Sequence, residues 1–112
     1  MSQSLNALRG QVHRFTGIVD RFGGYQADQG QIHTLCVRDL ALADSGQAID
    51  PDHWWFNLRE IWTQAGVRAG DHVLFTAKVQ RCSKGGTRGQ VIGFGAAPRD
   101  LVILERPQEE SL

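Results

Sequence analysis

Lys78, Arg81, Lys84 and Arg88 lie close together in a stretch that holds no acid, and Gly85, Gly86 and Gly89 are interleaved with them. Cations beside mobile, glycine-rich backbone N–H groups suit phosphate oxygens. The plainer alternative is a solvated hairpin tip, where lysine blunts a strand end. A second group is Arg21, Phe22 and Tyr25 beside Gly23-Gly24. Aromatic rings stack single-stranded bases at ~1–3 kcal/mol each with little regard to sequence. Here Tyr25 reads as exposed and Phe22 as core. The third group is Trp54-Trp55-Phe56, preceded by Asp52-His53. On a strand, Trp54 and Phe56 share one face and Trp55 takes the other. One of Trp54 and Trp55 then joins Arg38, Thr34 and Cys36 on an outer surface, and a one-residue slip would exchange them. The exposed ring could equally pack under a helix or against a second molecule.

Asp50, Asp52, His53 and His72 raise the question of a metal or an acid–base pair. Asp-x-Asp-His supplies no fourth well-spaced ligand, so a structural Asp52–His53 hydrogen bond is the simpler reading. Cys36 and Cys82 match no metal spacing and read as small hydrophobes. No Walker loop, GxSxG, HExxH or CxxC is present in the sequence. The expectation is therefore no catalytic residue, no metal and no cofactor.

The elements that position these groups come from patterning. A chain of 112 residues with 41% hydrophobic content is one domain's worth of core. Formal net charge is zero, which argues against blanket electrostatic binding of nucleic acid or membrane, but acids collect in 39–60 and 105–110 while 78–88 has none. No apolar run reaches the ~20 residues of a membrane span, and no secretory h-region is seen, so a cytoplasmic protein with reduced thiols and no membrane partner is expected.

Residues 1–10 read as a flexible N-terminus, 11–105 as a single domain and 106–112 as a flexible acidic tail. The first strand runs through Phe15 and Val19 to Gly23-Gly24, with Gly17 marking a bulge or bend. Tyr25 to Gln31 reads as a polar hairpin loop. Ile32 to Leu40 is the second strand and Ala48 to Phe56 the third, with Pro51 confining its start to an edge. Asn57 as N-cap, apolar Leu58, Ile61, Trp62 and Ala65, and Gly66 at the end predict a helix. His72 to Cys82 alternates, placing Val73, Phe75, Ala77 and Val79 on one face. Val91–Phe94 and Leu101–Leu104 close the pattern, broken by Pro98.

The order β-β-β-helix-β-β, with a first strand bent at a glycine, resembles the OB-fold, a five-stranded Greek-key barrel that binds ligands on the face of its second and third strands. Phe15-Thr16-Gly17, Thr34-Leu35, Asp52-His53-Trp54, Gly70-Asp71-x-Val73-x-Phe75-x-Ala77-x-Val79 and Lys84-Gly85 also resemble a family of small bacterial and phage proteins regarded as OB-like. The resemblance covers roughly residues 13–86 and implies a nucleic-acid context. Cys82 departs from the aromatic expected before Lys-Gly, and the last strand diverges. The expectation is thus a mostly β, OB-like barrel acting as a non-catalytic module for single-stranded DNA or RNA. Its contacts would be Arg21, Tyr25, Arg38, Trp54, Trp55, Lys78, Arg81, Lys84 and Arg88. The rival is a protein-interaction module using the same aromatics on a partner or a second copy.

Overall fold

The computed structural model describes residues 2–83, 90–95 and 98–107, the side chains of Ser83 and Gln90 aside. The described residues are mostly β with one short α-helix. Its elements are β1 (Gln3–Ser4), a 3-10 turn (Leu5–Leu8), β2 (Val12–Ala27), β3 (Gly30–Leu42), β4 (Ile49–Asp50), β5 (Trp54–Asn57), α1 (Glu60–Ala65), β6 (His72–Ser83), β7 (Gln90–Phe94) and β8 (Arg99–Glu105). The main sheet has the order β5-β3-β2-β6-β7, and β8 also pairs with β6. Every ladder in it is antiparallel. β7 takes Val79–Ser83 of β6 and β8 takes His72–Thr76, so β7 and β8 follow β6 in succession.

This sheet is open, where the element order had predicted a closed five-stranded barrel. Strands β5 and β7 end the main path of the sheet and both run in the sense of β2, but among the described residues no ladder joins them. The reason is steric. The Trp54 indole lies against Gly93, and a Cβ built at Gly93 would overlap it. Backbones held apart by an indole miss the ~4.8 Å spacing that a ladder needs. Aromatic contacts bridge the opening, with ring centroids 6.1 Å apart for Trp54–Phe94 and 5.4 Å for Phe56–Phe94. Gly93→Ala is therefore expected to destabilise the protein by ~1–3 kcal/mol through overpacking. Denaturant unfolding checks it, and Trp54→Leu in the same chain should recover most of the loss.

The core follows the alternation. Phe15, Val19, Leu35, Val37, Val73, Phe75, Ala77 and Val79 are all buried, as their strand faces predicted. Gly17 sits at a shift in the β2–β3 register, between Thr16 and Ile18, with Val37 and Leu40 pressed against its Cα. A second shift, between Val19 and Arg21, leaves Asp20 as the extra residue.

Several boundaries differ from the pattern. The segment before Gly10 packs: β1 pairs in parallel with β4, and Leu5 and Leu8 are buried in the core cluster. Two leucines three apart were too sparse a signal to separate from a polar terminus. Tyr25 to Gln31 is strand rather than loop, because β2 and β3 continue as a two-stranded ribbon to an Asp28-Gln29 turn. Polar residues serve there because the ribbon projects beyond the core. Asn57 pairs with Thr34 at the end of β5, and Arg59 occupies the N-cap position instead. The helix ends where predicted, at Gly66 with φ 67°, a left-handed conformation that glycine adopts at no steric cost. Trp62 is fully buried and touches Phe56 and Phe75.

Candidate ligand-binding face

Register resolves the tryptophan ambiguity. Val37 pairs with Trp54, Cys36 with Trp55 and Leu35 with Phe56. Val37 and Leu35 point into the core, so Trp54 and Phe56 share that side and Trp55 lies on the outer face. Trp54 therefore leaves the set of candidate ligand contacts: its ring bridges the sheet opening. Trp55 is half-buried, and Cys36 beneath it is buried.

Three strands build the outer face in register. One row is Arg21, Cys36 and Trp55, and the next is Gly23, Thr34 and Asn57. Tyr25 pairs with Ile32 one step further along the ribbon on the same face. The benzo edge of Trp55 reaches diagonally to Gly23, where a Cβ would stand 3.0 Å from Cζ3 and 3.4 Å from the Thr34 hydroxyl. Glycine at 23 is what lets the ring settle on the strand. The Arg21 guanidinium stands 5.3 Å from the Trp55 ring centroid, within cation–π range. Tyr25 is 47% exposed, as expected, but Phe22 is 46% exposed too and does not plug the core. Phe22 pairs with the buried Leu35 but stands on the open side of β2, at the border of the packed interior.

The electrostatics of this face are balanced. Asp20 accepts from Arg21 Nη1 at 2.9 Å and from Arg38 Nε at 3.0 Å, and Arg38 Nη1 donates to Asp39 at 2.6 Å. Two arginines thus meet two carboxylates, and the cluster adds no net charge. Such exposed pairs are worth little to stability, so they can exchange partners cheaply.

The remaining basic residues lie elsewhere. Lys78 pairs with Val12 at the opposite end of β2 from Arg21, nine residues and so about 30 Å of strand away. Arg81 pairs with Ile92 on the β6–β7 hairpin and is exposed. Lys84 and Arg88 lie outside the described residues. The sheet therefore brings Arg21, Arg38, Trp55 and Tyr25 together and leaves Lys78 apart from them.

Asp52 and His53 form the expected hydrogen bond, Oδ1 to Nδ1 at 3.1 Å, on the surface before β5. Among the described residues no group of three or more His, Cys, Asp or Glu side chains is placed to hold a metal ion. No described helix is long and apolar enough to cross a membrane.

One charged site escaped the sequence reading. Asp71 is fully buried, and its carboxylate accepts Arg106 Nε at 2.9 Å on Oδ1 and Nη2 at 2.8 Å on Oδ2. The Arg68 backbone N–H donates to Oδ2 at 2.8 Å, and Arg106 Nη2 also reaches the Gly66 carbonyl at 2.8 Å. Arg106 holds the Asp71 carboxyl below its usual range and is itself raised. The adjoining Gly70, at φ 94°, donates its N–H to the Val19 carbonyl at 2.6 Å, and the Pro107 ring covers its Cα. The Gly-Asp signal is thus a structural clasp that ties the start of the tail, the end of α1 and β2 together. The Pro107 and Arg106 contacts place the first residues of the expected free tail against the fold.

No protein-family description matches the chain, and neither curated proteins nor solved structures provide a significant match.

Proposed function

We propose that this protein is a non-catalytic, OB-like β module that binds single-stranded nucleic acid across the outer face of β2, β3 and β5. The order of its elements supports the fold assignment: a bulged first strand shared by two halves, a helix between the third and fourth long segments, and edge strands running in the same sense. The observation that carries the function is Trp55, a partly buried indole set over Gly23 on the outer face with Arg21 beside it and Tyr25 along the same face. Two rings on one face give bases a stacking surface. On binding, Arg21 and Arg38 would release the Asp20 and Asp39 carboxylates and take phosphate oxygens, with Lys78, Arg81, Lys84 and Arg88 following the strand further along.

A second reading has its own support. The local neutrality of the Asp20–Arg21–Arg38–Asp39 cluster suits an apolar protein contact at Trp55 as well as it suits a nucleotide. Oligonucleotide titration separates the two. Trp55→Ala should weaken binding by ~1–3 kcal/mol without changing the salt slope, because stacking releases no counterions. Lys84→Ala with Arg88→Ala should flatten the slope of log affinity against log salt by about 1.4, at ~0.7 per phosphate. Binding that is lost with neither change, or a Trp55-dependent protein complex in its place, would favour the second reading.

A further inference from the structure

The ladder between β2 and β6 runs from Val12–Lys78 to Ile18–His72 without a register shift. Phe15, Val73, Phe75 and Ala77 are buried, so the residues that alternate with them face outward. Arg14, Thr16 and Lys78 are among these, and no outward residue of this stretch on either strand is an acid. Arg14 and Lys78 are exposed, and among the described residues neither makes an ion pair. On adjacent strands they are diagonal neighbours, ~7–8 Å apart, where like charges repel. Acids flank the strip without reaching them. Asp39 is bonded to Arg38 at 2.6 Å, Asp100 lies 3.8 Å from Arg99, Asp44 is on the turn after β3, and Glu105 is opposite His72. At its other end the strip meets Arg38, which pairs with Ile18 and bonds to Asp20 beside Arg21. The outer face of β2 thus joins the Trp55 surface to two cations that have no counter-charge.

We infer that a single strand held at Trp55 and Tyr25 continues along the outer face of β2, over Thr16, to a second phosphate contact at Arg14 and Lys78. This rests on the nucleic-acid reading of the Trp55 surface and adds to it a longer site and a contact residue, Arg14. A phosphate backbone suits the strip because it carries anions at regular intervals, and its contacts position the strand without reading sequence. One anion between Arg14 and Lys78 also relieves their mutual repulsion. Arg14 precedes Arg21 by seven residues of β2, about 23 Å of strand.

Two single-stranded oligonucleotides, ~4 and ~12 nucleotides long, lie within the range that one OB-like unit covers. The shorter, anchored on the two rings, stops before Arg14; the longer reaches Lys78. Titrated at ~50 mM salt, Arg14→Ala with Lys78→Ala should weaken the longer about tenfold and flatten its slope of log affinity against log salt by about 1.4, at ~0.7 for each of two phosphates. The shorter should keep its affinity to within about twofold, because the two cations lie more than a screening length from it. Thr16→Glu, which puts a carboxylate on the path, should likewise weaken the longer alone, with thermal melting to check the fold of each variant. Variants that bind the longer oligonucleotide as the wild-type chain does would overturn the continuation. So would a loss equal for the two lengths. In either case Trp55-dependent binding of the shorter leaves the Trp55 reading standing, whereas binding of neither length overturns both.

Discussion

Phe75→Ala is expected to lower the free energy of unfolding by about 3–5 kcal/mol, the usual range for truncating a fully buried phenylalanine. Phe75 is the hub of the interior. Its ring centroid lies 5.9 Å from Phe15, 5.5 Å from Phe56, 5.9 Å from Trp62 and 6.0 Å from Phe94. These rings come from β2, β5, α1 and β7, so one side chain holds together four elements that share few backbone ladders. Truncation also leaves a cavity that aromatic neighbours fill poorly. Since domains of this size are stable by only ~5–15 kcal/mol, a milder variant belongs beside it. Phe75→Leu should cost less, and its equilibrium unfolding should remain cooperative. A loss below ~1 kcal/mol for the alanine variant would contradict the packing described.

The second large effect is at the clasp. Arg106→Ala should clearly lower the denaturation midpoint, because it strands the Asp71 carboxylate in a buried site with one backbone N–H left to it. The partly exposed guanidinium of Arg106 can return to water, so Asp71→Asn should cost less than Arg106→Ala. A double-mutant cycle with Asp71→Asn should show strong coupling. The pH dependence follows from the same pair. Asp71 in the folded protein is held below the ordinary value of 3.8. The stabilisation is thus complete above the carboxylate range and is lost as pH falls through the lowered folded value. In Arg106→Ala the carboxyl loses the largest cause of its lowering, the Arg106 hydrogen bonds. The variant should therefore lose less stability than the wild-type chain as pH falls through the carboxylate range, so the gap between the two narrows. Parallel acid limbs for the two proteins would count against the clasp.

The strand faces were legible because one side of each strand is buried. Val73, Phe75, Ala77 and Val79 announced β6, and Gly17 announced the register shift. Trp54 and Trp55 could not be told apart by the same logic, since alternation gives two faces and no sign. Their assignment rests on the β3 ladder, which places Trp54 beside Val37. Barrel closure was beyond reach for a related reason: element order carries topology, while the indole lodged at Gly93 is a long-range packing fact. The Asp71–Arg106 pair spans 35 residues, and no local spacing rule joins such partners. The grouping of basic residues by sequence also misled. Lys78 is close to Lys84 in the chain, yet the sheet sets it at the far end of β2 from Arg21.

The proposal that the outer face of β2, β3 and β5 takes single-stranded nucleic acid is tested most directly by amide and indole chemical-shift mapping. A short single-stranded DNA, and separately an RNA of the same length, would be titrated at ~50 mM salt, where the electrostatic contribution is strong. The account predicts the largest shifts at Arg21, Gly23, Tyr25, Thr34, Arg38 and the Trp55 indole, with the buried Trp62 indole unmoved. Absence of shifts with both oligonucleotides, or shifts centred on β8 and the outer side of β6, would contradict it.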